Sequence, residues 1–167
     1  MKKIIIFIDN SNLFHYFQKL KFHCDYKKLK EVIANGREIV DAFIYTGLMY
    51  PVRKKDKAYL SKLGHLGFKV VTRSIKVAPN GKKVEKRIDV LMAVDIISAA
   101  FQREFDTIVL LSGDGDFVPV AKKLKSLVIN LEVWSFEELL AEHLRRVVGE
   151  ENCFFIDNIL PQIKLEK

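Results

Sequence analysis

Three aspartates lie at the ends of two short apolar segments and form the strongest chemical signal in the sequence. Residues 4–8 are followed by Asp9, and residues 107–111 are followed by a Ser-Gly-Asp-Gly-Asp loop that contains Asp114 and Asp116. Such segments are typical of strands that are buried on both faces of a parallel sheet. Asp114 and Asp116 are two residues apart, so their side chains point the same way if the loop is extended. Because ligands bind beyond the carboxyl ends of parallel strands, the pattern predicts an acidic site at that edge.

A cluster of these aspartates would be electrostatically unfavourable without a counter-charge. Two carboxylates about 4 Å apart repel each other by roughly 4 kcal/mol at an effective dielectric constant near 20. Protonation or a divalent cation relieves this repulsion. An all-oxygen ligand set suits Mg²⁺ or Mn²⁺, whereas zinc prefers nitrogen and sulfur ligands. The four histidines show no ligand-pair spacing and are interpreted as surface or packing residues.

Each acid at the two strand ends also has a purely structural interpretation. Asp9 would cap the helix that follows it, although residues 10–12 are all suitable caps and would leave its carboxylate available for a metal. The acidic loop, taken alone, is equally compatible with an ordinary Gly/Asp turn. Ser112 and a buried Phe117 would instead hold the loop in a fixed position, which favours a binding site.

A helix predicted over residues 88–101 contributes two further acids, Asp89 and Asp95. Its buried face is predicted from apolar residues that recur at helical spacing, namely Leu91, Val94, Ile97 and Phe101. Asp89, near the start of this helix, either favours the positive end of the helix dipole or completes the acidic site. Six residues rotate a helix by about 240°, so Asp95 faces another way and is predicted to orient a member of the site.

Predicted strands alternate with predicted helices along the rest of the chain. Asp25 is a predicted helix cap, Pro51 is expected to open a basic helix, and Asn35-Gly36 and Gly67 are expected to end helices. This alternation predicts an α/β fold with a mainly parallel central sheet of about five strands. The five strands are predicted at 4–8, 39–46, 68–72, 107–111 and 130–134.

Three features complete the predicted arrangement. Asn80-Gly81 lies between two extended basic segments and predicts a small basic hairpin. Ser135 and Glu138 match a capping box, which predicts a last major helix that runs to about Val148. A short terminal strand is predicted at 153–156.

The composition limits the class of protein. A chain of 167 residues fits one domain over 1–167, and its net charge of +7 favours polyanionic partners such as nucleic acid. No apolar segment approaches the roughly 18 residues of a membrane span, so no membrane association is expected. The two cysteines have no metal-binding spacing and suit reduced thiols. The protein is therefore expected to be cytoplasmic.

Several residues are candidates for contact with a nucleic acid. Phe14 or Tyr16 could stack on a base, although aromatic residues at this spacing more often pack in a core. Each basic residue, taken singly, is also compatible with an ordinary solvated surface. The candidates for phosphate contacts are Lys86, Arg87, Lys122 and Lys123.

Three segments carry a family resemblance. They are residues 7–12, residues 86–91 with Asp95 beyond them, and residues 111–117, in that order. They resemble the NYN domain, a branch of the PIN-like nuclease superfamily, and within it the LabA-like proteins. The resemblance implies a three-layer α/β/α sandwich of PIN-like, Rossmann-like type. It also implies a group of aspartates around Mg²⁺ or Mn²⁺ that cleaves RNA, namely Asp9, Asp89, Asp114 and Asp116. The supporting residues that it implies are Asn12, Ser112 and Asp95. Arg87 departs from the pattern, because many relatives have a small residue there, often glycine.

The function predicted from these observations is that of a metal-dependent endoribonuclease that acts on single-stranded or structured RNA. One alternative is a catalytically silent RNA-binding or regulatory module with the same fold. A metal-dependent phosphatase fits less well, because the second aspartate of those enzymes would stand where this chain has Ser11. A homodimer or a protein partner could position the RNA, and both remain open.

Overall fold

A computed structural model of the protein describes residues 1–85 and 87–167, with only the backbone described for residues 83–85. Lys86, one of the candidate phosphate contacts, lies outside the described residues. The described residues form one central sheet with helices on both of its faces.

Six parallel strands and one antiparallel strand form the sheet within the described residues. The strands are β1 Lys3–Asp9, β2 Glu38–Leu48, β3 Lys69–Val77, β4 Lys83–Glu85, β5 Thr107–Leu111, β6 Asn130–Ser135 and β7 Cys153–Phe155. Their spatial order is β4-β3-β2-β1-β5-β6-β7. The prediction of about five strands in the parallel sheet is one too low, because the terminal strand β7, predicted separately, also joins it by pairing in parallel with β6. The predicted hairpin is confirmed, since β4 pairs antiparallel with β3.

The helices form two layers, one on each face of the sheet. They are α1 Asn10–Lys19, α2 Tyr26–Ala34, α3 Lys54–His65, α4 Ile88–Gln102, α5 Val118–Ser126, α6 Glu142–Val148 and α7 Leu160–Ile163. Helices α1, α2, α3 and α7 contribute to one core, and α4, α5 and α6 contribute to the other. The predicted three-layer α/β/α sandwich is therefore confirmed. Across the described part of the chain, no helix combines the length and the apolar character needed to cross a membrane.

Strand β1 shows why the sequence of the central strands is apolar throughout. Ile4, Ile6 and Ile8 pack into the core on the α1 side, whereas Ile5 and Phe7 pack into the core on the α4 side. A strand covered on both faces has no solvated side for polar residues. Helices α1 to α3, which connect the strands on one side of β1, cover one face of the sheet, whereas α4 to α6 cover the other face. The order of the strands therefore reverses between β1 and β5, and this topological switch point is where α/β folds bind ligands.

The predicted buried face of α4 is wrong. Val94 and Phe101 are 55% and 66% exposed, and Leu91 and Ile97 are only partly buried. The buried residues are Ile88, Met92, Ile96, Ala99 and Ala100. Apolar residues lie on every side of this helix, so periodicity alone allowed more than one face. The small side chains of Ala99 and Ala100 let the observed face pack closely, which a count of large apolar residues does not capture.

Two predicted helix starts also differ from the structure. The capping box is wrong, because Ser135 ends β6, residues Glu137–Leu139 form a 3₁₀ turn, and α6 begins only at Glu142. The carboxylate of Glu138 instead accepts a hydrogen bond from the Tyr16 hydroxyl at 2.5 Å. Helix α3 begins at Lys54 rather than at Pro51. The predicted Asp25 cap is confirmed, since its side chain accepts hydrogen bonds from the first turn of α2.

Candidate metal centre

Asp9 joins the central strand to the first helix. It is the last residue of β1 and the N-cap of α1, and its side chain accepts a hydrogen bond from the Asn12 amide at 3.4 Å. The prediction that residues 10–12 would supply this cap is wrong. Asp9 keeps the extended backbone of the strand, whereas Asn10 is already helical, so only Asp9 has the conformation of a cap. Asp9 as a whole residue is 5% exposed.

The acidic loop after β5 is a tight turn rather than an extended segment. Residues Gly115–Phe117 form a 3₁₀ turn, and Asp114 caps it by accepting a hydrogen bond from the Asp116 amide at 2.9 Å. The extended conformation in which Asp114 and Asp116 would point the same way is therefore not adopted, and the turn that was the other interpretation is observed. The expected anchor is confirmed, because Phe117 is buried in the core that also contains α4 and α5. The loop is held at its carboxyl end by this packing.

Three carboxylates converge at the carboxyl edge of the sheet. Among the described residues, Asp89, Asp114 and Asp116 each offer an oxygen within 4.8 Å of the others. We call these three residues the acidic group. Asp89 comes from the first turn of α4, whereas the other two come from the loop after β5. Asp116 is exposed and the other two are half-buried, so like charges repel in a site that is only partly screened by solvent.

Asp9 is linked to the acidic group through hydrogen bonds, although it is not one of the three members. The Asp114 amide donates to Ser112 Oγ at 3.2 Å, and Ser112 Oγ donates to Asp9 Oδ2 at 2.9 Å. The Gly113 amide donates to Asn12 Oδ1 at 3.4 Å. The residues predicted from the sequence around the two strand ends therefore form one connected arrangement, in which Asp9 and Asn12 hold the loop from the α1 side.

Gly113 allows a second segment to press on the loop. A Cβ atom at this position would lie 2.4 Å from the backbone oxygen of Leu139 and 2.4 Å from Ser135 Oγ. The Ala141 amide donates to the Gly113 carbonyl at 2.9 Å. The chain after β6 thus fixes the loop from the side opposite Asn12. The sequence indicated a glycine-rich loop but gave no sign of this partner segment.

A model of the NYN domain matches residues 3–151, a range that includes the acidic group and Asp9. The chain belongs to the NYN domain family. It is 32% identical over 150 residues to the Low amplitude and bright protein LabA of Synechococcus elongatus, in an alignment that covers 86% of this chain and 78% of LabA. The predicted LabA-like NYN membership is confirmed, and the fold is of the PIN-like nuclease type.

A solved structure shares the fold of this NYN domain. The crystal structure of a protein of unknown function from Vibrio parahaemolyticus has a TM-score of 0.79 to this chain at 23% identity, and the superposition covers 98% of this chain and 96% of the other. At this level of identity the likeness supports the fold alone.

Asp95 lies apart from the acidic group of the NYN domain. It accepts a hydrogen bond from the hydroxyl of Tyr45 at 2.8 Å, and Tyr45 is the strand neighbour of Asp9 across β1 and β2. Burial and the Asp95 carboxylate raise the pKa of Tyr45, so its hydroxyl remains a proton donor. Asp95 is thus half-buried and paired, and it holds a residue beside Asp9. Tyr45 and Asp95 are 50 residues apart, so no local pattern could reveal this pair.

A second polar network lies directly beside the acidic one in this NYN domain, and it was not foreseen from the sequence. The Tyr26 hydroxyl donates to Asn10 Oδ1 at 3.0 Å, and Asn10 Nδ2 donates to the Tyr59 hydroxyl at 3.3 Å and to Thr46 Oγ1 at 3.4 Å. We call these four residues the tyrosine network. Asn10 is the residue after Asp9, so two adjacent side chains serve different networks.

The described basic candidates border the acidic group in sequence and are exposed. Arg87 precedes α4 by one residue and has a positive φ of 78°, in the left-handed region that favours glycine. This conformation gives a physical reason for the small residue, often glycine, that the family resemblance implies at this position. Lys122 and Lys123 project from α5, the helix that follows the acidic loop.

Proposed function

We propose that the protein is an endoribonuclease that depends on Mg²⁺ or Mn²⁺ and hydrolyses phosphodiester bonds in RNA. The observation that carries this proposal is the convergence of three carboxylates at the carboxyl edge of the sheet, from two separate elements of the chain. Membership in the NYN family supports a nuclease over other functions of α/β sheets.

The side chains of the site fit a hard divalent cation. Asp89, Asp114 and Asp116 offer carboxylate oxygens only, which is the ligand type that Mg²⁺ and Mn²⁺ prefer. We propose that these three residues hold the ion and that Asp9 supplies the fourth acid of the site. When bound there, such a cation would polarise the scissile phosphate and lower the pKa of an attacking water.

The surrounding residues would keep the acids in place and would position the substrate. The Ser112 hydroxyl donates its single proton to Asp9, so its oxygen is available to accept a hydrogen bond from the Asp114 amide. This pair of hydrogen bonds fixes the start of the loop. The side-chain oxygen of Asn12 accepts a hydrogen bond from the amide of Gly113, the residue before Asp114. The exposed residues Arg87, Lys122 and Lys123 are suited to contact phosphates on either side of the bond that is cleaved.

The test measures cleavage of end-labelled single-stranded RNA in Mg²⁺, in Mn²⁺ and in EDTA. We expect metal-dependent cleavage that falls at least about 100-fold in Asp89→Asn and in Asp116→Asn, because each change removes a charged ligand worth several kcal/mol of transition-state stabilisation. Asp106→Asn is the matched control, since Asp106 is an exposed aspartate at the opposite end of β5. Cleavage that continues in EDTA or in both site variants would exclude the proposal.

The main alternative is a catalytically silent RNA-binding module. The net charge of +7 and the exposed lysines support this alternative, because neither depends on the acidic group. It predicts that RNA binds equally well to the wild type and to Asp116→Asn, with or without metal, and that no cleavage occurs. Binding measured beside cleavage in the same samples separates the two functions.

A further inference from the structure

A cavity of about 440 Å³ opens at the same edge of the sheet as the acidic group, between α1 and α3. Its floor is formed by the carboxyl ends of three strands, through Asn10 after β1, residues 46–48 of β2 and Ile75 of β3. Phe14 and Tyr59 line its sides. This volume and this mixture of apolar walls with a few polar groups are typical of small-molecule and base-binding sites.

The cavity and the acidic group lie on opposite sides of the start of α1. Asp9 and Asn12 contact the acidic loop, whereas Asn10 and Phe14 face the cavity. Neighbouring strands are about 4.8 Å apart, so the cavity, which reaches from β1 to β3, extends over about 10 Å from the strand that carries Asp9. A strand of RNA bound at the acidic group would therefore bring an adjacent nucleotide to the cavity.

The lining of the cavity matches the chemistry of a nucleobase. Phe14 is 37% exposed, and its ring lies 5.9 Å from that of Tyr59 at a tilt of 44°. These rings offer apolar surfaces on which a base can stack. Below them, Asn10 and Thr46 are buried and held by the tyrosine network, so they form a fixed polar floor. Tyr16, the other aromatic residue considered for stacking, instead packs on Phe136 with ring centroids 4.2 Å apart.

Positive charge lies on the far side of the cavity from the acidic group. Arg53 and Lys55 line the cavity together with Asp56, which forms an ion pair with Arg53, so these three residues keep a net positive charge. The antiparallel pairing of β3 with β4 begins at Ile75. The exposed basic residues of this hairpin and its turn include Arg73, Lys76 and Lys82. Along the sheet edge, the order is thus acidic group, cavity and basic hairpin, which corresponds to a path for a polyanionic single strand.

We infer that the cavity binds one unpaired base of the RNA next to the bond that is cleaved, so the substrate is single-stranded at that point. This inference rests on the proposed ribonuclease function. A base that is paired and stacked inside a duplex cannot enter such a cavity. The cavity therefore selects unpaired RNA, whereas the acidic group supplies the chemistry.

The experiment measures binding in EDTA, so it does not depend on cleavage. The probes are a short single-stranded RNA, the same RNA with one abasic ribose at each position in turn, and the corresponding duplex. We expect one abasic position to weaken binding to the wild type about fivefold or more, because a stacked base is lost. The duplex is expected to bind less tightly than the single strand.

The variant Phe14→Ala removes one wall of the cavity. It is expected to bind the intact RNA about as weakly as the wild type binds the abasic RNA, and to be insensitive to the abasic position. Phe101→Ala is the matched control, since Phe101 is an exposed phenylalanine on α4. Thr46→Val, which removes a hydroxyl from the floor with little change in volume, provides an independent variant.

Two results would overturn the inference: equal binding of the RNA at every abasic position, or equal loss of binding in Phe14→Ala and Phe101→Ala. If cleavage then proceeds normally, the ribonuclease proposal stands and only the base site is wrong. If the abasic effect is found but no cleavage occurs in any metal, the base site stands and the ribonuclease proposal is wrong.

Discussion

Asp9 and Asn10 are adjacent in the sequence and belong to two networks of opposite character. Asp9 is hydrogen-bonded to the loop that carries Asp114, at a site where like charges gather. Asn10 belongs to the tyrosine network, which is neutral. Both networks lie at the carboxyl edge of the sheet, on opposite sides of the start of α1.

The two networks differ in whether their charge is balanced. The tyrosine network satisfies its own hydrogen bonds, and within the described residues no buried side-chain nitrogen or oxygen lacks a partner. The acidic group also has ordered hydrogen bonds, but these do not neutralise three like charges within 4.8 Å. Hydrogen bonding can thus be complete where charge is not balanced. The charge on the acidic side is left for a proton or the proposed cation to balance, whereas the polar groups of the tyrosine network already bond to one another.

The largest effect on stability is expected from Gly113→Ala. The new Cβ would meet the Leu139 backbone at 2.4 Å, so the loop or the segment after β6 must move, at a cost of about 3 kcal/mol in the free energy of unfolding. Gly115→Ala is the matched control, because its Cβ would contact only the Ala141 side chain, at 3.4 Å. Urea denaturation of both variants measures the difference. Equal stability of the two would show that the close approach at Gly113 does not hold the acidic loop.

Metal binding should stabilise the protein through its acidic side alone. At a concentration of Mn²⁺ 100 times its dissociation constant, the free energy of unfolding should rise by about 2.7 kcal/mol. Thermal unfolding with and without Mn²⁺ measures this rise, which should largely disappear in Asp116→Asn. In EDTA the same variant should be at least as stable as the wild type, because one of three like charges is removed. A full Mn²⁺ effect in Asp116→Asn would place the ion elsewhere.

A smaller effect, confined to the neutral side, is expected from Tyr26→Phe. Loss of the hydroxyl that donates to Asn10 Oδ1 should lower the free energy of unfolding by about 1 to 2 kcal/mol, because the network is buried. The Mn²⁺ stabilisation should be unchanged. Tyr50→Phe is the control, since Tyr50 is 68% exposed and removal of its hydroxyl breaks no buried network. A loss of Mn²⁺ stabilisation in Tyr26→Phe would mean that the two networks are not independent.

Strand-end residues and the order of elements could be predicted from the sequence because both follow from local patterns. Asp9 and Asp114 follow apolar runs too short for helices, and Asn80-Gly81 has a specific turn preference, so their positions needed no knowledge of distant contacts. The residues alone left open whether Asp89 joins the loop, and the family resemblance favoured it. Nothing in the spacing of these residues fixes the distance between α4 and β5.

The predictions that were wrong depended on contacts distant in sequence. The capping box at Ser135 and Glu138 is locally plausible, yet Glu138 is hydrogen-bonded by Tyr16, which lies 122 residues away. The face of α4 is selected by the helices and strands around it rather than by its own apolar residues. Asn10 had been considered as a helix cap, because a short polar residue after a strand has that role more often than a place in a buried network.

One consequence follows from the position of Asp9 as the last residue of the central strand. The strand has a hydrogen-bonded neighbour on each side, β2 and β5, so solvent reaches the backbone of β1 only when the whole sheet opens. The hydrogen exchange of backbone amides in β1 should therefore require global unfolding, with an opening free energy equal to the free energy of unfolding. Asp116, by contrast, lies in a turn that is anchored by buried Phe117 but carries its own side chain at the surface. The site thus combines an acid whose backbone is as persistent as the fold with an acid whose side chain faces solvent.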